Sequence, residues 1–301
     1  MIIIDDPNDA RIAIFRMRER GLNTRSDRRE TVAAGMFIAE GDLVVERALT
    51  AGCEPVSAFV DASEPPDVVG RFSPEVPVYG ASRDVRRGGM GLGVPLSIVA
   101  VFRRPQPTGV DSVTGQRRVV VLEAVDNPVN VGTVVRSAAA LGWDGLLLDR
   151  TSADPLARRA LRVSMGNSFV LPFARTASIV DVVTQARSAG TLVVALTVTD
   201  GAVPLHAVLP AMRQRVMLVI GSERTGLSAD LLAASSLHAS IPMMAGVNSL
   251  NAAAAAAIAC YALRPVDRNR IDHNRIDRNR IDHDRIDHNR IDRLSGDSSH
   301  W

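Results

Sequence analysis

Short apolar runs bounded by Pro, Gly or Ser alternate with helix-length segments through most of the chain, and from Arg118 the alternation is regular. Runs at Val119–Leu122, Gly145–Leu148, Leu192–Leu196, Val216–Ile220 and Ala239–Ile241 read as strands, because short continuous apolar runs suit a sheet buried on both faces. Between them, Val131–Leu141, Pro155–Ser164 and Ile179–Ala189 read as helices. After the last strand, Leu250–Leu263 is almost continuous alanine, the best helix former, and its small side chains permit close packing. This alternation predicts an α/β fold with a mostly parallel sheet.

Upstream the pattern is mixed. A polar, Arg-rich amphipathic stretch runs from Asp9 to Arg20, and in FIAEGDLVVERALTAG residues Leu43, Val44, Arg47 and Ala48 recur at helical spacing. Apolar runs follow at Val56–Val60, Val76–Tyr79 and Ile98–Phe102, so residues 1–107 read as a small α/β domain. The stretch from Arg103 to Gln116 holds two prolines, two glycines and no apolar periodicity, as an exposed linker does. We place that linker at 108–116 and the main domain at 117–264. From 265 to 301 the chain becomes a five-residue repeat in which Ile271, Ile276, Ile281, Ile286 and Ile291 each precede Asp. A period of five lines neither a helix face nor a strand face, which predicts a low-complexity, disordered and dispensable tail.

Composition adds limits. With 46% hydrophobic and 23% charged residues the chain falls in the range of ordinary soluble proteins. Asp5 and Asp6 interrupt the opening apolar run, and the 12 apolar residues Ala252–Leu263 fall short of the roughly 20 that span a bilayer. These features predict a cytoplasmic protein with no membrane partner. Cys53 and Cys260 lie far apart with no Cys or His spacing suited to zinc, and His273, His283 and His288 follow the repeat, so no metal is expected. The net charge of +2 divides as −1, +2 and +1 over residues 1–108, 109–263 and 264–301. Locally, Arg11, Arg16, Arg18, Arg20, Arg25, Arg28 and Arg29 against Glu19 and Asp27 give +5, a candidate RNA contact. Every basic residue apart from histidine is arginine, whose planar donor fork suits phosphate.

Three segments carry candidate chemistry. In VVVLEAVDNPVNVGTVVRSAAALGWDGLLLD, Asp126, Asn127 and Asn130 occupy a strand-to-helix turn, with Arg136 about two turns into the helix; ligands of open α/β sheets collect beyond such strand ends. Asn130 alone could be a helix cap. In LVIGSERTGLS a strand runs into Gly221, Glu223 and Gly226, where glycine lets the backbone approach a ligand. In IPMMAGVNSLNAAAAAAIACYAL, Ser249 could cap the alanine helix, while Asn251 just inside it is a poor interior helix residue. No GxGxxG follows the first strand, and Gly88, Gly89, Gly91 and Gly93 have the wrong spacing, which disfavours a dinucleotide site.

In this order the NPVNVGTVVRSA, GSERTG and IPM…NSLN elements resemble the motifs of the SpoU (TrmH-type) family of SPOUT RNA 2′-O-ribose methyltransferases, over Val119 to Leu263. The DPLARRALRVSMGNSFVLP stretch resembles the family's segment between the second and third strands, and FIAEGDLVVERALTAG its preceding substrate-binding domain. The resemblance implies a trefoil-knotted domain, an obligate homodimer and S-adenosyl-L-methionine as cofactor. It puts the cofactor against Leu196, Gly221, Gly226, Ile241, Met243 and Leu250. Asn130, Arg136, Glu223, Ser249 and Asn251 become the catalytic and substrate-facing set. The implied substrate is a ribose 2′-hydroxyl of structured RNA, ribosomal before transfer RNA. The alternatives are a transfer-RNA 2′-O-methyltransferase and a non-catalytic RNA-binding or assembly dimer; the NPVNVGTVVRSA element disfavours a base methyltransferase. Because a guanidinium is a poor base, Arg136 is expected to clamp the phosphate beside the target ribose.

Overall fold

The computed structural model describes residues 1–17, 35–90, 96–208, 214–244, 246 and 249–264. The expected tail at 265–301, with its histidines, and Arg18, Arg20, Arg25, Arg28 and Arg29 of the basic cluster lie outside the described residues.

The first sheet has five strands, β1 (Ile2–Ile3), β2 (Met36–Glu40), β3 (Pro55–Asp61), β4 (Val78–Ala81) and β5 (Ile98–Arg103), in the order β1-β4-β3-β5-β2. β4 pairs parallel with β1 and β3, while β5 pairs antiparallel with β3 and β2. Both faces are covered, which is why IVAVF reads as a continuous apolar run. Phe37, Ala39, Ile98, Ala100 and Phe102 meet Val44, Val45 and Ala48 of helix α1 (Asp42–Thr50) on one face. On the other, Ile38, Phe59, Val99 and Val101 meet Ile12 and Phe15 of a 3-10 turn, Ala10–Arg16. The FIAE segment, grouped with the helix by its sequence, is strand β2. Helix α2 (Arg83–Met90) was not expected. Its Gly88 and Gly89 allow close packing, since a Cβ there would lie 3.0 Å from Pro7 and Ile12 respectively. Arg11 is committed to Asp9 and Arg16 to the Gly89 carbonyl, so the two described members of the basic cluster are tied within the chain.

The expected linker is not wholly exposed. It contains helix α3 (Val110–Thr114), whose Val113 is fully buried under Gly145. A single inward valine in a polar stretch gives no periodicity to read.

The second sheet has seven strands, all parallel. They are β6 (Arg118–Glu123), β7 (Gly145–Leu148), β8 (Phe173–Arg175), β9 (Leu192–Leu196), β10 (Val203–Pro204), β11 (Val216–Gly221) and β12 (Leu237–Ser240), ordered β10-β12-β9-β11-β6-β7-β8. One face packs on helix α4 (Pro128–Ala140) and helix α8 (Ala252–Ala262) through Val131, Val134, Val135, Ala256 and Ala259. The other packs on helix α6 (Ile179–Ser188) and helix α7 (Ala229–Ala234) through Ile179, Val183 and Leu231. Beside α4 lies helix α5 (Arg158–Ser164). A Cβ on Gly132 of α4 would sit 2.5 Å from the Ala160 carbonyl oxygen of α5, so this approach requires glycine. Strand order reverses beside β6, with β7 and β8 on one side and β11 on the other, the position where open α/β sheets gather ligands. Buried Cys260 has its thiol pKa pushed up to about 12 by desolvation, which leaves it inert.

The two sheets are joined by charged side chains. Arg158 on α5 pairs with buried Glu40 on β2 and donates to the Phe15 carbonyl at 2.9 Å. Arg104 pairs with Asp154, and Arg47 donates to the Met165 carbonyl at 2.7 Å. Leu156 and Leu161 enter the core of the first sheet.

Gly132→Ala should lower stability by about 1–3 kcal/mol through overpacking, although alanine favours helix by about 1 kcal/mol; a more stable variant in urea unfolding would reject the close-approach account. Glu40→Ala leaves the Arg158 charge largely buried without its carboxylate and should cost about 3–5 kcal/mol in the same assay. A loss below about 1 kcal/mol, the range of surface pairs, would show that this pair does not hold the sheets together.

Candidate active site

The carboxyl ends of β6, β11, β9 and β12 lie side by side, so the segments leaving them form one rim. Asn127, with Pro128 at the first helical position, caps α4 by accepting from Val129 N at 2.9 Å. Asn130, expected as a possible cap, instead sits buried in the first turn. The Asn-Pro pair was the signal that would have moved the helix start from Val131 to Pro128.

From that turn the Asn130 amide Nδ2 donates to Glu223 Oε1. Asn251 Nδ2 donates to the same oxygen at 3.0 Å and to Asn130 Oδ1 at 3.2 Å. The backbone N–H of Ala252 also donates to Glu223 Oε1, at 3.2 Å. Asn251, rather than Ser249, caps α8, its Oδ1 accepting from Ala253 N at 3.0 Å and Ala254 N at 3.2 Å. Its place is therefore the cap and not the helix interior. A carboxylate and a capping amide together satisfy three N–H groups at the positive end of this helix.

The loop after β11 folds tightly. A Cβ on Gly221 would overlap the backbone of Gly226 and lie 2.7 Å from Leu227 N, so no other residue fits. Gly226 has φ +65 and its N–H donates to the Ser222 carbonyl at 2.9 Å. Two features not singled out beforehand anchor this loop to β6. Glu123 accepts from Ser228 N at 2.8 Å and Oγ at 2.7 Å, and Arg224 pairs with Asp126 at 2.6 Å. Neither pairing has a local sequence signal, since the partners are 105 and 98 residues apart.

The remaining expected residues divide. Leu196 at the end of β9 and Ile241 just after β12 are half-buried and pack on one apolar cluster; Met243 and Leu250 are half-buried on the segment leading to α8. Ser249 is exposed and bonds to no described residue. The Arg136 side chain is also exposed and bonds to no described residue. Six residues beyond Asn130, it leaves α4 about 240° around and about 9 Å along the axis, so it does not join the Asn130–Glu223–Asn251 cluster of its own chain. Among the described residues no group of three or more His, Cys, Asp or Glu could hold a metal ion, and no helix is long and apolar enough to cross a membrane.

Known proteins resemble this chain in sequence and in fold. Residues 117–261 match the model of the SpoU rRNA Methylase family. Over 264 residues the chain is 37% identical to a Mycobacterium bovis protein named an uncharacterized tRNA/rRNA methyltransferase, spanning 85% of this chain and 89% of that one. Over 244 residues it is 29% identical to the 23S rRNA (guanosine(2553)-2′-O)-methyltransferase RlmP of Bacillus subtilis, spanning 81% and 93%. An AdoMet-bound rRNA methyltransferase from Sinorhizobium meliloti aligns with TM-score 0.71 and 25% identity over 86% of this chain and 96% of that one. The SpoU methyltransferase AviRb of Streptomyces viridochromogenes, in complex with AdoMet, aligns with TM-score 0.70 and 28% identity over 88% and 99%. A parallel sheet whose carboxyl rim joins the motif segments, together with these matches, places the chain in the SpoU rRNA methylase family.

Proposed function

We propose that this chain transfers a methyl group from S-adenosyl-L-methionine to a ribose 2′-hydroxyl of ribosomal RNA. The observation that carries the reading is the convergence of Asn130, Glu223 and Asn251, from three family-matched segments, on one hydrogen-bonded cluster beside the Gly221–Gly226 loop. Relatives spanning most of the chain support the substrate class, since RlmP is named for 2′-O-methylation of 23S rRNA.

The residues present fit the cofactor. Leu196 and Ile241 offer a half-buried apolar shelf, Met243 and Leu250 flank it in sequence, and the tight Gly221–Gly226 loop leaves β11 one strand away from Leu196. Bound there, S-adenosyl-L-methionine supplies an electrophilic methyl. The chain's own part is to orient the ribose in line and to exclude other approaches. Glu223 Oε1 is occupied by three donors, so Glu223, Asn130 and Asn251 act by fixing the rim. Ser249, exposed beside the Asn251 cap, faces the incoming nucleotide. Arg136 clamps the adjoining phosphate through its two-donor fork, and the hydroxyl proton leaves to water or phosphate.

The protein works as a homodimer in this reading. Val129 lies one heptad before Arg136 on the same face of α4 and is 40% exposed; on adjacent α8, Ile258 is 44% and Tyr261 57% exposed. Pairing two copies through this face buries the apolar residues and brings Arg136 of each copy to the site of the other. Helix α8 packs on β11 and α4, and in this reading the catalytic domain is a trefoil knot. Residues 1–107 serve as the RNA-binding domain, 108–116 connect it to the methyltransferase domain at 117–264, the tail is dispensable, and the site of action is the cytoplasm.

Arg136→Lys keeps the charge and loses the fork. Single-turnover methylation should fall strongly and by a similar factor at every pH, while S-adenosyl-L-methionine affinity stays near wild type. Robust activity rising steeply with pH would show that the residue acts as a base.

A further inference from the structure

Arginines are numerous around the carboxyl rim of the seven-stranded sheet, and most are committed to the chain itself. Arg224 pairs with Asp126, Arg104 with Asp154, and Arg158 with Glu40. Arg175 donates to the carbonyls of Asp149, Ser152 at 2.9 Å and Ala153 at 3.3 Å. Arg150 is different. It follows β7 directly, is exposed, and bonds to no described residue.

The loop that carries Arg150 is built to stay in place. Asp149 N donates to the Leu122 carbonyl at 3.1 Å, Ala153 N to the Val125 carbonyl at 2.8 Å, and Val125 N to Ser152 Oγ at 3.1 Å. These bonds lay the 149–153 loop against the 123–125 segment that leads into α4 and the Asn130 cluster. The Asp149 carboxylate is turned inward. Although burial pushes its pKa up, hydrogen bonds from Ser152, Thr151 and the Ala124 N–H hold it below the usual carboxylate range. The acidic side chains along these segments, Glu123, Asp126, Asp149 and Asp154, are all engaged by other groups. A fixed loop thus presents one guanidinium that bonds to no described residue, one strand away from the strand that feeds the site, about 5 Å across the sheet.

We infer that Arg150 binds an RNA backbone phosphate flanking the target nucleotide and so positions the substrate across the rim. This rests on the proposed function and adds to it a residue outside the three motif segments. A phosphodiester fits because Arg150 is a single, rim-exposed cation bonded to no described residue, the kind of contact that positions a backbone and does not read a base.

The test compares the full-length wild type with Arg150→Gln and Arg150→Lys, using in vitro transcribed 23S ribosomal RNA over a salt series. Loss of one phosphate contact should reduce the slope of log affinity against log salt by about 0.7–0.9, and weaken binding about fivefold near 0.15 M salt. KM for RNA should rise by the same factor, with S-adenosyl-L-methionine affinity and thermal midpoint unchanged. Arg150→Lys should recover most of the slope, because a point charge suffices for one phosphate oxygen. A wild type that methylates RNA beside an Arg150→Gln variant of unchanged slope and affinity overturns this assignment alone. A wild type that binds no RNA overturns the functional reading and this assignment with it.

Discussion

Glu223 Oε1 holds together three segments that are far apart in the chain. Asn130, 93 residues before it, and Asn251, 28 residues after it, both donate to this oxygen, and so does the first N–H of α8. Hydrogen bonds to an ionised acceptor contribute about 1.5–3 kcal/mol each, and a buried amide left without a partner costs about as much. The rim therefore has one stable arrangement rather than three independently moving loops. Every assignment at the site, from the cofactor shelf to the phosphate contacts, presumes that arrangement.

Close backbone approach makes this convergence possible. At Gly221 the strand end is covered by its own returning loop, and at Gly132 the helix bearing Asn130 touches α5 through bare backbone. Helix α5 in turn carries Arg158, whose pairing with Glu40 ties the five-stranded sheet to the same scaffold. Position is thus passed from the first sheet through α5 and α4 to the Asn130 amide. A substrate held by the first sheet would meet a rim whose orientation is already set.

Much of this was legible in the residues. Strands β6, β7, β9 and β11 fall where continuous apolar runs place them, because a sheet covered on both faces demands such runs. The motif segments were found for the same reason, each being a polar turn directly after a strand. What escaped was set by distant partners. Asn251 reads as a helix-interior residue until the chain folds Glu223 against the first turn of α8, and Val113 reads as linker until Gly145 covers it. Strand β8 is three residues long and lies at the sheet edge, too short for its pattern to stand out from the loop. Arg136 shares its expected set with Asn130, but six residues further along α4 it faces away from the cluster of its own chain, which the motif alone does not reveal.

In the proposed reaction Glu223 holds the rim through Oε1 and does not take a proton. Its Oε2 receives no hydrogen bond from a described residue, so the two roles can be separated at one side chain. Glutamine keeps an acceptor at Oε1 while replacing Oε2 with a donor, whereas alanine removes both. Single-turnover methylation of 23S ribosomal RNA by Glu223→Gln, beside Glu223→Ala, is the direct measurement. Glu223→Gln should stay within about tenfold of wild type, the difference between a charged and a neutral hydrogen bond, while Glu223→Ala should lose most activity. A glutamine variant as inactive as the alanine variant, with cofactor affinity intact, would contradict it.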